Sequence, residues 1–317
     1  MISAIDVKGL GILDPLGIPL DINYKPSNNT NKPRFRIHNN KMILYISNTL
    51  INQFFERGEK KEYCPWAVYR SYMISKDRSD PTAAMLKGSY FETKCIGGGA
   101  GGSGVHSLPL LKSGKLSTDN KRIDEQVVQF KVLKDKYGMV LKDDLSNTQV
   151  KGMIHYPQDH WVDIEVFATG EADWITPIGN YNGHSFGNSI VDLKLTGNMS
   201  SSYGKFAWTP REFINTQQLT HYWHVFGGLP TFFWVFDYPA TGMMNEIIPV
   251  NHDINHSNAK LAGKAKWRIK TFHELMRLTI NEIAFNFQEG WKKNPDPALC
   301  KKCPVMGCDK RNLLNEL

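Results

Sequence analysis

Hydrophobic and polar positions alternate most regularly between residues 160 and 197. "HWVDIEVFATG" (160–170) and "GEADWITPIG" (170–179) carry the two-residue period of strands with one face buried. "SIVDLKLTG" (189–197) adds a strand through Ile190, Val191, Leu193 and Leu195. Between them, Asn182-Gly183 is a tight-turn dipeptide, so the pattern predicts an antiparallel meander over 160–197. "TFFWVFDYP" (231–239) reads as a buried strand.

Elsewhere the period is helical. Leu50, Ile51, Phe54 and Phe55 form a stripe over 47–55, with Ser47 or Asn48 as the cap. Helices are also expected over 65–73, opened by Pro65, over 83–95, over 121–134, and over 210–226 with Pro210 near the start. A long amphipathic helix over 266–290 places Ile269, Phe272, Met276, Ile280, Ile283 and Phe287 near one face. Residues 1–45 are punctuated by Gly9, Gly11, Pro15, Gly17 and Pro19, and read as irregular structure with short strands. "GGGAGGSG" (97–104) lacks the G-x-x-x-x-G-K-[ST] pattern of a phosphate loop and reads as a flexible connection. The order of elements predicts an α/β or α+β fold, a sheet flanked by helices, closed by a C-terminal metal clip.

Composition narrows the function. With 41% hydrophobic and 22% charged residues, the chain is of ordinary globular type. No stretch has the apolar length of a membrane span, and the N-terminus lacks a basic region followed by an apolar one. We therefore expect a cytoplasmic protein with no membrane partner. The net charge of +7 permits a polyanionic partner. Lys260, Lys264, Lys266, Arg268 and Lys270 crowd one segment; Lys292, Lys293, Lys301, Lys302, Lys310 and Arg311 crowd another. The missing phosphate-loop motif argues against an ATP-driven motor in this chain.

The candidate chemistry lies on the meander. Asp192 and Lys194 share one face of an otherwise apolar strand, and Asp173 stands on the strand before the turn. Two carboxylates converging from adjacent strands make a hard-oxygen site suited to Mg²⁺ or Mn²⁺. The carbonyl of Leu193 is a further candidate ligand, and Lys194 beside it is placed to orient water and stabilise developing charge. Taken alone, an Asp-x-Lys pair reads better as a surface ion pair on an edge strand. Gln218 and Tyr222, four residues apart, share one face of the following helix.

These motifs, in this order, resemble the RecB-type branch of the PD-(D/E)xK nuclease superfamily. The series runs "ISNTLINQFFERGEKKEYCPWAVYRSYM" (46–73), "LKGSYFE" (86–92) with Gly88 and Glu92, "GEAD" (170–173), "IVDLK" (190–194), "QLTHY" (218–222) and "CKKCPVMGC" (300–308). The resemblance implies a restriction-endonuclease-like core with a mixed central sheet over residues 46–317, following the segment 1–45. It implies Asp173, Asp192 and Glu92 as metal ligands, Lys194 as the catalytic lysine, and Gln218 and Tyr222 as supports of the site and the DNA. Many relatives carry His where Glu92 stands, and Glu171, on the face of Asp173, competes with it as the third acid.

Five cysteines, three of them within 300–308, argue against a disulfide framework and for metal ligation. The spacing of Cys300, Cys303 and Cys308 alone leaves iron–sulfur and structural Zn²⁺ open. The resemblance, to the subset that includes CRISPR-adaptation and AddB-like exonucleases, implies a structural [4Fe–4S] cluster held by Cys64 with these three, joining the two ends of the chain. Cys95 is left over and reads as a buried thiol. The implied activity is a metal-dependent deoxyribonuclease acting on DNA ends, single strands or flaps. It would work alone, with a helicase or with a recombination protein, in repair, recombination or phage replication. The alternative is a non-catalytic DNA-binding or scaffold protein on a degenerate nuclease fold. The tryptophans read as core residues rather than as base-stacking platforms; Trp208 and Trp223, near the candidate site, are the two to test for stacking on unpaired bases.

Overall fold

The computed structural model describes residues 34–38, 41–56, 59–74, 80–97, 117–200, 214–239, 244–252, 271–294 and 296–301, with single residues and pairs between 105 and 113, at 208, at 259–260 and 266–267, and at 303–305 and 308. Several expectations fall outside that set. They are those for the segment up to residue 33, for 98–104, and for Pro210, Ile269, Lys264, Arg268, Lys270, Lys302, Lys310 and Arg311.

In chain order the described elements are β1 (Phe35–His38), β2 (Lys41–Ser47), α1 (Asn48–Phe54), β3 (Phe55–Glu56), β4 (Glu59–Lys60), and α2 (Pro65–Val68) running into a π turn (Tyr69–Met73). Then come α3 (Ala83–Ile96), α4 (Thr118–Lys136), β5 (Thr148–Tyr156), β6 (Ile164–Tyr181), β7 (His184–Thr196) and α5 (Gln217–Val225). They are followed by β8 (Thr231–Asp237), β9 (Asn245–Val250), β10 (Ala259–Lys260), β11 (Lys266–Trp267), α6 (Phe272–Gln288) and α7 (Pro297–Cys300). The result is a mixed α/β protein. Its chain divides into two compact units, each discontinuous in sequence.

The first unit takes residues 1–80, 153–169 and 270–317. β1 pairs antiparallel with β2, and β2 pairs in parallel with the start of β6, from Met42↔Ile164 to Ser47↔Thr169. Ser47 ends β2 and caps α1, its Oγ accepting from Leu50 N–H at 3.4 Å. α6 opens with a capping box. Thr271 Oγ1 accepts from Glu274 N–H at 3.2 Å, and Glu274 Oε2 accepts from Thr271 N–H at 2.9 Å. The box therefore starts this helix at 272, where periodicity alone suggested 266. The stripe Phe272, Met276, Ile280, Ile283 and Phe287 is buried, as its spacing predicts.

The second unit takes residues 81–152 and 170–269. β6 and β7 form a hairpin from Tyr181↔His184 to Trp174↔Val191. Both turn residues are left-handed, Asn182 at φ 49° and Gly183 at φ 79°, as a type I′ turn requires. β7 then pairs in parallel with β8, and β8 antiparallel with β9. The expected three-strand meander is thus corrected in two ways. Residues 164–181 are one strand that runs unbroken through Gly170, and it admits Pro177 at a register shift where the missing N–H is tolerated. The next partner of β7 is β8, in parallel.

Alternation along β7 and β8 sorts two apolar clusters. Val191, Leu193, Phe232, Trp234 and Phe236 pack with α3 and α4 residues such as Phe91, Ile123 and Phe130. Ile190, Phe233 and Val235 pack with Leu219 and Tyr222 of α5. Asp192 and Lys194 share the parity of Ile190, so they lie on the α5 side.

Candidate active site

The hairpin ladder stops at Trp174↔Val191, one residue short of an Asp173–Asp192 pair. There the Leu193 N–H donates to Asp173 Oδ2 at 3.0 Å. Leu193 was expected to contribute its carbonyl; its recorded contact with the acids is through this N–H. Asp192 is 0% exposed, between Val191 and Leu193, both buried. Its Oδ1 accepts from Gln218 Nε2 at 3.2 Å, and the same amide nitrogen lies 2.9 Å from the Tyr222 hydroxyl. The four-residue spacing read from the sequence therefore brings Gln218 and Tyr222 together over the carboxylate.

α5 can reach the strand because Gly170 has no side chain. A Cβ there would stand 3.0 Å from Tyr222 Cδ1, and one at Gly152 would stand 2.8 Å from Phe226 and Val225.

Lys194 Nζ lies 2.5 Å from Asp192 Oδ2, with 31% of the lysine side chain exposed. At that distance the ammonium is the partner of Oδ2, as Gln218 is of Oδ1. Burial pulls the Lys194 pKa down, but Asp192, Asp173 and Glu92 outweigh it and hold the ammonium pKa above its ordinary value. Burial, then the charges of Asp192 and Glu92, push the Asp173 carboxyl well above the usual carboxylate range. Burial lifts Glu92 to about 7, assisted by Asp192 and opposed by Lys194. Burial, then the charges of Asp192 and Asp173, raise the Tyr222 phenol, which keeps its proton.

Glu92, on α3, is thus within electrostatic reach of both aspartates and Lys194. Glu171 also bears electrostatically on Glu92 and on Tyr222. Three acids and one ammonium thus act on one another electrostatically here, and the acids supply hard oxygen donors. A donor set of carboxylate oxygens is of the chemistry that suits a divalent cation. Even so, among the described residues no three or more His, Cys, Asp or Glu side chains form a ready-made metal-binding group.

The same contrast holds for Cys64, Cys300, Cys303 and Cys308, which belong to the first unit. Cys64 precedes α2, and its Sγ accepts from Asn294 N–H at 3.4 Å. Cys300 Sγ lies 3.8 Å from the Asn294 carbonyl, and Cys303 N–H donates to Cys300 O at 3.1 Å. Burial, then the charges of Cys64, Cys303 and Cys308, raise the Cys300 thiol. Cys64, Cys303 and Cys308 therefore lie within electrostatic reach of Cys300, a longer reach than that of a coordination shell. Cys95 is buried and in no disulfide, as expected.

Trp208 is only 7% exposed and meets Phe233 edge-on at 5.4 Å, so it belongs to the core rather than to a base-stacking surface. Trp223 stacks on His252 at 5.3 Å, and His252 sits between the hydroxyls of Thr220 and Thr231. Gln149 escaped the sequence reading: its Nε2 donates to Glu92 Oε1 at 2.6 Å. An isolated Gln in a polar stretch carries no signal in sequence.

Among the described residues, no helix is long and apolar enough to cross a membrane. No family model matches the chain, and no curated protein matches it. Among solved structures, the crystal structure of SSO0001 is similar at 13% identity over 84% of this chain and 86% of that one, with a TM-score of 0.34, too low to inform either fold or function.

Proposed function

We propose that the protein is a metal-dependent deoxyribonuclease of the RecB-type PD-(D/E)xK superfamily, with a restriction-endonuclease-like core, acting on DNA ends, single strands or flaps. The observation that carries the reading is the gathering of Glu92, Asp173, Asp192 and Lys194 under Gln218 and Tyr222. Asp173, Asp192 and Glu92 would hold Mg²⁺ or Mn²⁺, which supplies Lewis acidity toward a phosphoryl oxygen and lowers the pKa of water. Lys194, charged and partly exposed, is placed to donate to a phosphoryl oxygen or to hold the attacking water. Gln218 fixes the rotamer of Asp192, and the neutral Tyr222 phenol braces Gln218.

In the first unit, Cys64, Cys300, Cys303 and Cys308 would hold a structural [4Fe–4S] cluster, with Zn²⁺ as the alternative. The net charge of +7 supports a polyanionic partner. DNA ends, with or without a helicase or recombination protein in a cytoplasmic nucleoid, are the proposed setting.

The test compares wild type and Lys194→Ala on labelled DNA. Retained binding with cleavage reduced by about 10²–10⁴-fold is the expected result. Binding without cleavage by the wild type in Mg²⁺ and in Mn²⁺ would favour a non-catalytic DNA-binding protein instead.

A further inference from the structure

Gln149 is the second residue of β5 and has a left-handed backbone, φ 48°. A non-glycine residue at such an angle is strained, and strain of this kind persists only where the surroundings enforce it. Here they do. Asn147, 8% exposed, donates through Nδ2 to Val140 O at 2.7 Å and to Ile175 O at 3.0 Å, while its carbonyl accepts from Ile175 N–H at 2.8 Å. Its Oδ1 accepts from Lys142 N–H at 3.1 Å, and Thr148 Oγ1 donates to Leu145 O at 3.0 Å. The segment before Gln149 is thereby fastened to β6, the strand that carries Asp173. Leu145 also closes on the end of α3, where a Cβ on Gly97 would lie 2.7 Å from Leu145 Cδ1. Gln149 and Glu92 are thus fixed from separate anchors, and they meet at 2.6 Å.

We propose that Gln149 is a positioning residue for the third acid of the site, its amide holding Glu92 Oε1 so that the other carboxylate oxygen is presented to the divalent cation. The inference rests on the metal-dependent reading above and adds to it a residue that acts through Glu92. An amide donor suits this task, since it directs one carboxylate oxygen and adds no charge to compete with the cation.

The test uses the full chain and Mn²⁺ as probe, with binding followed by calorimetry and folding by thermal unfolding. Gln149→Gly removes the amide and relieves the φ strain, so this variant should unfold no earlier than wild type. It should nevertheless bind Mn²⁺ about 10–100-fold more weakly. Gln149→Asn, which tolerates the same φ but is one methylene shorter, should lose affinity in the same way. In a Glu92→Ala background neither substitution should have any further effect on Mn²⁺ binding. Unchanged Mn²⁺ affinity in Gln149→Gly, while wild type binds, overturns the inference alone. An undiminished Gln149 effect in the Glu92→Ala background also overturns it alone. A wild-type protein that binds no Mn²⁺ overturns both the inference and the reading beneath it.

Discussion

At the scale of single residues, the site is costly for the protein that carries it. Asp173 and Asp192 are brought together from adjacent strands, with Glu92 in reach and one ammonium among them. Burial and two neighbouring carboxylates oppose charge on Asp173, so neutralising it should stabilise the chain in chelator at neutral pH. Asp173→Asn keeps an oxygen to accept from Leu193 N–H and removes the charge. We expect it to gain about 1 kcal/mol, roughly 2–4 °C in thermal unfolding. Mg²⁺ should raise the wild-type midpoint and leave the variant nearly unmoved. Loss of stability in chelator would show that Asp173 is structural. The pair Asp192 and Lys194 was legible in sequence because an apolar strand seldom tolerates two charges on one face. Gln149 was not, because its position depends on the fold of residues 138–149 and on a backbone angle that no residue type in that stretch announces.

At the scale of elements, the hairpin was legible and its neighbours were not. Asn182-Gly183 and the alternation around it fixed the β6–β7 turn. Gly170 read as the break between two strands, although β6 runs through it. Gly170 is a seat for the Tyr222 ring, and Pro177 lies at a register shift. The parallel β7–β8 pairing is set by tertiary packing, which single-sequence periodicity does not encode. The seat of α5 is open to test. Gly152→Val would push into Val225 and Phe226, where even a Cβ comes within 2.8 Å. It should cost about 1–3 kcal/mol in urea unfolding. Cleavage should fall with it, because α5 carries Gln218 and Tyr222. Wild-type stability in this variant would mean that α5 does not rest on that glycine.

At the scale of the whole molecule, two units share one chain, each built from separated stretches of sequence. That interleaving is invisible to composition and periodicity, since neither reports which distant segments pack together. The carboxylates and Lys194 fall in one unit and the four clustered cysteines in the other. The proposed roles, a hard-cation reaction site and a structural thiolate cluster, are correspondingly separable. Anaerobically purified protein should contain about four iron and four sulfide per chain, a count set by the cluster type. Cys300→Ser should lose the iron and lower the thermal midpoint. Zinc in place of iron would convert the clip to a tetrahedral zinc site.

The central claim is that Asp192 serves metal-dependent cleavage of DNA. It is tested most directly by release of label from end-labelled single-stranded, double-stranded and flap DNA, in Mg²⁺ and in Mn²⁺, by wild type and Asp192→Asn side by side. The account predicts cleavage of at least one substrate by wild type, its loss in chelator, and a fall of about 10²–10⁴-fold in a folded Asp192→Asn protein. Equal cleavage by the two proteins, or none of any substrate by the wild type, would contradict it.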